Sequence, residues 1–240
     1  LKQTFTDFEW VLVDALYDVR RAAVRRFVEN VPLIHLPEPQ KRAENVWNLC
    51  AAYNEGIRRC SGEYILSYQD YIWLPGTGIE KLLDLADDRT AVIGVGHKAE
   101  KPDKAVNPRG LITIFEEPYS DRPKGISELD TRIDGRQEVV ETNYSFFELN
   151  YAIAPRRFYW DAGGLPEEFD KGYGADNIGL SLKAHLMGYG FLLDKTNECV
   201  GFNQSLFPRP YDWERRHNNK GFFAEWAQRA LAGEPFARYL

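Results

Sequence analysis

The chain has 240 residues, enough to bury a sizeable core as one α/β domain. Its formal net charge of -6 argues against a general nucleic-acid binder, which needs a basic footprint, and no apolar run approaches the ~20 residues that span a bilayer. Hydrophobic residues at 44% and charged residues at 28% make an ordinary globular balance, whereas 14% aromatics is high; such residues serve core packing or line sites for ring-shaped ligands. Cys50, Cys60 and Cys199 show neither metal spacing nor an even framework, so a reduced compartment is the default. With no signal peptide in the sequence, the expectation is a cytoplasmic protein.

In chain order, Glu9-Trp10-Val11-Leu12-Val13-Asp14 reads as a buried strand ending in an acid, after a helix end and turn at Leu1-Lys2-Gln3-Thr4-Phe5. Asp18 to Asn30 reads as an amphipathic helix, with Val19, Ala23 and Phe27 at i, i+4 and i+8. Its Arg20, Arg21, Arg25 and Arg26 form either a phosphate patch or a solvated face. Val31 to Leu36 is a short edge strand, because Pro32 lacks a ladder donor. Lys41 to Arg59 is helical in pattern and contains Asn54-Glu55-Gly56. After the turn at Ser61-Gly62 comes the β-prone run Tyr64 to Tyr68, and Asp70 lies just past its carboxyl end. Ligands of open α/β sheets bind at that end, and an acid there can hold a divalent cation and through it a diphosphate. A strand followed by a polar turn is the plainer reading. Gly78 to Ala86 is a further helix and Ala91 to Gly96 a further strand. This alternation implies a mostly parallel sheet covered on both faces.

From His97 to about Glu141 the chain is rich in charge, proline and glycine, with Leu111-Ile112-Thr113-Ile114-Phe115 as a strand candidate inside it. A stretch of that length in a compact domain is usually functional or mobile. Phe146 to Ala154 is then a strand candidate, Pro155-Arg156-Arg157-Phe158-Tyr159 opens a helix, and Gly163-Gly164 ends it. Asp176 to Met187 carries Ile178, Leu182 and Leu186 at helical spacing and is closed by Gly188. Phe191 to Asp194 is a final short strand, and the aromatic, basic tail from Asn203 ends in a helix near Phe222 to Leu231.

Several of these pieces, in this order, resemble glycosyltransferase family 2, of the GT-A type. Asp7 to Asp14 is similar to that family's second strand, Ala52-Tyr53-Asn54-Glu55-Gly56 to its Asn-x-Gly segment, and Ser61 to Leu66 to its Gly-Glu-Tyr-Ile segment. Asp70 falls on the metal-binding Asp-x-Asp region, Gly163 to Phe169 on the Gly-Gly-Phe-x-Glu loop, and Gly174 to Leu180 on the Glu-Asp motif that begins a helix. The implied architecture is a single GT-A domain over 1–240. Residues 1–96 would form the nucleotide-sugar half, 97–145 a variable loop region, and 146–240 the acceptor and catalytic half with a C-terminal tail. The fold would be α/β, with a Rossmann-like, mostly parallel central sheet, helices on both faces and a small antiparallel or loop acceptor region. Family members open with a strand and helix that precede Leu1 here, so one more βα unit of ~20–40 residues is expected upstream.

The resemblance implies transfer of a sugar from a nucleotide diphosphate donor, UDP-linked as the favoured guess, to an acceptor hydroxyl with inversion. The acceptor class is most simply a saccharide. Asp176 would be the general base; as an aspartate at a helix start it also suits an N-cap. Asp70 would hold Mn2+ or Mg2+, with His217 completing the coordination or touching phosphate, although Gln69 and Tyr71 flank Asp70 and a second acid is absent. Asp14, Asn54, Gln69, Gly163 and Gly164 would contact the donor. Trp160, Tyr173 and Trp213 could stack on sugar rings, and Arg209, Arg215 and Arg216 could clamp the diphosphate; each also suits packing or the surface. Ala15 and Ala175 stand where the family has acids. Two other readings stay open: a GT-A-like nucleotidyltransferase, and a non-catalytic nucleotide-sugar or glycan-binding module.

Overall fold

The structure, a computed structural model, describes residues 3–28, 31–39, 48–69, 72–99, 126–172, 174–202 and 219–240. The first strand, β1 (Trp10–Asp14), is followed by α1 (Tyr17–Phe27) and β2 (Leu33–Pro37). β1 and β2 pair in parallel as a sheet of two. α1 forms where its periodicity predicts, but Val19 is 57% exposed and Ala23 also faces outward, so that stripe is not a buried face. The helix closes over β2 through Tyr17, whose ring meets the His35 ring edge-on at 4.7 Å.

The main sheet is built from β3 (Tyr64–Tyr68), β4 (Ile72–Trp73), β5 (Thr90–Ala99), β6 (Ile126–Glu128), β7 (Val139–Thr142), β8 (Tyr151–Pro155) and β9 (Gly190–Phe202). Its order is β3-β8-β5-β9-β4, with β6 on β5 and β7 on β9. β5 and β9 are parallel, and β8 runs antiparallel to both β3 and β5, so β3, β5 and β9 all point one way. Their carboxyl ends therefore meet on one side of the molecule, the side that the alternation of strands and helices predicts for a ligand. Among the described residues β1 pairs only with β2, and β3 only with β8.

Helices cover both faces, as expected. The face carrying Ala91, Ile93 and Val95 of β5 and Ala152 and Ala154 of β8 is packed by three helices. These are α2 (Leu49–Arg59), α4 (Arg156–Asp161) and α5 (Asp176–Leu186). The opposite face, with Val92 and Ile153, is packed by Leu82 of α3 (Gly78–Leu85). Apolar residues on both faces explain why β5 reads as a continuous hydrophobic run. An aromatic cluster fills the first face: Phe158 lies 5.3 Å from Phe147 and 5.2 Å from Tyr189, and is fully buried. Burying such a ring contributes about 1.5–3 kcal/mol. On the second face the Tyr151 ring sits against Gly94, where a Cβ would come within 2.3 Å of it.

Several strand boundaries differ from expectation, β5 running to Ala99 instead of ending at Gly96. Phe146 to Asn150 is not strand: Tyr144–Phe146 forms a 3-10 turn capped by the Asn143 side chain, which accepts from Ser145 N–H, and β8 begins only at Tyr151. The last strand is far longer than Phe191 to Asp194, because β9 continues along β5 after a bulge. Asp194 makes that bulge by accepting from Thr196 N–H (2.9 Å) and Thr196 Oγ1 (2.7 Å), a local turn that interrupts the ladder without ending it. α6 (Lys220–Leu231) forms near its predicted span. Leu111 to Phe115 lies outside the described residues.

Candidate active site

β3 delivers Gln69 to the carboxyl end of the sheet, where the Gln69 carbonyl accepts from Ile72 N–H at 3.1 Å and turns the chain into β4. Asp70, between them, lies outside the described residues, as do Tyr173, Arg209, Trp213, Arg215, Arg216 and His217.

Asp176 is the first residue of α5 and comes to the same end. The cap position belongs to Ala175, which makes no side-chain cap bond, so the N-cap alternative for Asp176 does not describe its place. Ala175 has φ +69°, next to Gly174 at φ +84°. A left-handed alanine costs of order 1–3 kcal/mol and persists only where its surroundings impose it. The surroundings are explicit: Asn177 Nδ2 donates to Phe147 O at 2.6 Å, and Ser181 Oγ donates to Tyr144 O at 2.8 Å. α5 is thus stitched to the segment that leads into β8. The Asp176 carboxyl is half-buried, and desolvation pushes its pKa above the ordinary aspartate value. Among the described residues no side chain hydrogen-bonds it.

The fold adds a group of residues that sequence reading missed. Asp130 Oδ2 accepts from Gly96 N–H at 2.7 Å, and Arg132 Nε donates to Asp130 Oδ1 at 2.9 Å. Against the opposing effect of burial, these bonds hold the Asp130 carboxyl below its usual value. Asp130 N–H donates to His97 Nδ1 at 3.1 Å, which leaves Nε2 to face Glu198 Oε2 at 3.4 Å. Arg132 also donates to Phe146 O at 3.3 Å. Glu148 completes the group: desolvation raises its pKa, the Arg132 charge opposes this, and the Asp176 charge adds to it. Asp130 and Arg132 lie in the stretch rich in charge, proline and glycine, and Glu148 inside the strand candidate Phe146 to Ala154, so nothing in their spacing pointed to the site.

Asn54 is fully buried and its amide is spent on the double-glycine loop. Leu165 N–H donates to Asn54 Oδ1 at 2.8 Å, and Asn54 Nδ2 donates to Leu165 O at 2.9 Å and to Glu167 Oε1 at 3.1 Å. Gly163 and Gly164 take φ of +71° and +82°, and a Cβ on Gly164 would lie 2.6 Å from Asn54 Oδ1. The buried Lys183 ammonium donates to Gly164 O at 2.6 Å, and burial lowers its pKa to about 8. The C-terminal segment lies over this loop: Tyr239 N–H donates to Gly163 O at 2.7 Å, and Arg238 donates to Trp160 O at 2.6 Å. Asp170, beyond the loop, caps α2 from a distance, accepting from Cys50 N–H (2.8 Å) and Ala51 N–H (3.0 Å). Burial nevertheless pushes Asp170 up to about 6.

Asp14 ends β1 at 4% exposure. It accepts from Leu16 N–H at 2.8 Å and pairs with Arg20 at 2.5 Å and His35 Nε2 at 3.1 Å. Arg20 therefore serves Asp14, which neither a phosphate patch nor a solvated face describes. His35 Nδ1 is buried without a hydrogen-bond partner among the described residues. Trp160 belongs to the other end of the sheet. There it lines an open cavity of about 520 Å3 with Arg58, Cys60, Glu63, Asp88, Arg156 and Arg157, remote from Glu148 and Asp176 by the length of β8. Among the described residues no three His, Cys, Asp or Glu side chains come together as a metal site. Nor is any described helix long and apolar enough to cross a membrane.

No protein-family model and no curated protein sequence matches the chain. Solved structures do. One, of GalNAc-T7 with UDP, GalNAc and Mn2+, aligns at a TM-score of 0.54 and 13% identity over 81% of this chain and 38% of that one. Another, of S. aureus TarS 1–349 in complex with UDP, aligns at 0.56 and 14% over 97% of this chain and 58% of that one. The chain thus spans less than two thirds of either. At these identities the likeness is one of fold: an α/β sheet flanked by helices, of the GT-A glycosyltransferase type.

Proposed function

We propose that this protein is an inverting hexosyltransferase of the family 2 kind, moving a sugar from a UDP-linked donor to a hydroxyl acceptor. The observation that carries the reading is Asp176: a half-buried carboxyl of raised pKa at the amino-terminus of α5, at the carboxyl end of the sheet, with no side-chain partner among the described residues. A carboxylate so placed takes the proton of the acceptor hydroxyl while the oxygen attacks the anomeric carbon from the face opposite the nucleotide. The donor's bond to the diphosphate breaks, and its electron pair leaves with UDP. The fold likeness to two UDP complexes supports the donor class. A divalent cation, Mn2+ or Mg2+, at Asp70 with His217 belongs to the proposal on the family resemblance; when bound it would neutralise charge on the diphosphate. Asp14, Gln69, Gly163 and Gly164 remain donor-side candidates, within a single domain over 1–240.

UDP release from UDP-sugars, with and without Mn2+, tests this. Wild type should turn over, and Asp176→Asn should lose about 10²–10⁴-fold in kcat while keeping its UDP-induced thermal shift. Equal inertness of the two proteins with UDP binding intact would favour a non-catalytic nucleotide-sugar-binding module, which Gln69 and Tyr71 beside Asp70 suggest. Release of pyrophosphate instead of UDP would indicate a nucleotidyltransferase.

A further inference from the structure

Glu148 belongs to none of the motifs that motivated the site, yet the fold fixes it next to Asp176. It precedes β8, on the side where β3 and β5 end. Its two preceding residues are pinned from different directions: Arg132 holds Phe146 O at 3.3 Å, and Asn177, adjacent to Asp176, holds Phe147 O at 2.6 Å. Both carboxyls are half-buried, and among the described residues neither accepts a side-chain hydrogen bond. Nearby acids are treated differently. Asp130 is saturated by Arg132 and Gly96 N–H, and Asp170 by the first amides of α2. A shielded polar group costs free energy unless something bonds it. Two such carboxyls, on segments joined by the Asn177–Phe147 bond and close enough for the Asp176 charge to act on Glu148, are disposed to bond a ligand that brings its own hydroxyls.

We propose that Glu148 determines acceptor specificity: the acceptor is a saccharide presenting two neighbouring hydroxyls, one to Asp176 and the other to Glu148. This rests on the transferase reading above and adds the acceptor class to it. The first hydroxyl loses its proton to Asp176 as its oxygen bonds the anomeric carbon and the diphosphate departs with the electron pair. The second stays intact, hydrogen-bonded to Glu148, and orients the ring for attack. Like Asp176, the Glu148 carboxyl has no side-chain donor among the described residues, so it can accept from this hydroxyl while Asp176 takes the proton of the other. A lone lipid alcohol or a serine side chain would leave Glu148 unbonded.

The test measures UDP release from UDP-glucose and UDP-N-acetylglucosamine with methyl β-glucopyranoside, its monodeoxy counterparts and octanol, for wild type, Glu148→Ala and Glu148→Gln. Wild type should prefer the intact glycoside over the deoxy compound lacking the Glu148-bound hydroxyl by roughly 10–100-fold in kcat/KM. Glu148→Ala should lose that factor with the intact glycoside and almost nothing with the deoxy compound. Glu148→Gln, whose amide oxygen can still accept from the hydroxyl, should stay within a few-fold of wild type. An unchanged UDP-induced thermal shift in each variant reports an intact donor half. Turnover with octanol equal to the glycoside, or a preference that survives Glu148→Ala, overturns this inference and leaves the transferase reading standing. No UDP release from any donor and acceptor pair overturns both.

Discussion

Asn54→Ala separates the structural use of this asparagine from a direct role in donor binding. The substitution removes three hydrogen bonds and strands the N–H and C=O of Leu165, a residue with 0% exposure. Leaving a buried backbone group unbonded costs about 1–3 kcal/mol, so the pair places the loss at about 2–6 kcal/mol. Glu167 adds little, since its carboxylate is half-buried and can be hydrated. A water entering the vacated amide space would recover part of the cost. The expected net destabilisation is ~3 kcal/mol, or ~6–12 °C in Tm for a chain of this size. Urea unfolding followed by tryptophan fluorescence reads it, with UDP affinity measured below the transition. If the amide serves the loop, stability falls by this amount while UDP affinity, per folded molecule, changes little. A loss under ~0.5 kcal/mol, or a collapse of UDP affinity in a fully stable variant, would refute the assignment.

Asp170→Ala should cost about 0.5–2 kcal/mol by uncapping α2, read in the same urea experiment; a neutral result would mean that the two amides at its start find other acceptors. For Lys183 the sign follows from a folded pKa near 8 against an unfolded value of ~10.4. The unfolded chain binds the extra proton across that window, so wild type should gain stability as pH rises from about 8 towards 10, relative to Lys183→Met, and equal slopes for the two proteins would contradict this. Because the Asp176 pKa is raised and its ionised form would be the base in the proposed transfer, kcat/KM should fall on acidification with a limb above the ordinary aspartate range. A limb at or below ~4 would count against Asp176.

The elements legible from sequence were those whose own residues decide them. β3, β5, α3, α4 and α5 carry dense apolar patterns with glycine or charged boundaries, and each formed within a few residues of its expected span. What escaped was non-local. The helical spacing of Val19 and Ala23 says nothing about whether another element covers that stripe, and none of the described ones does. Phe146 to Asn150 has strand-like composition, but the Asn143 side chain competes for the backbone and wins a turn. Asn54 was recognised as a motif residue, whereas its hydrogen-bond partners lie 111 positions away. Asp170 caps a helix 120 positions upstream, which no local pattern encodes. Glu148 fell inside the strand candidate Phe146 to Ala154, and the Asn177 and Arg132 bonds to its neighbours hold it at the candidate site.

The arrangement of the last described residues bears on synthesis. The turn at Gly163 leaves the ribosome well before Arg238, which lies 77 positions after the Asp161 carbonyl that it holds. Until Tyr239 emerges to close over that turn, the nascent protein carries an uncovered seam at the end of the sheet away from Glu148 and Asp176. Replacing Arg238 would therefore uncover the carbonyls of Trp160 and Asp161 without touching the apolar interior beneath them.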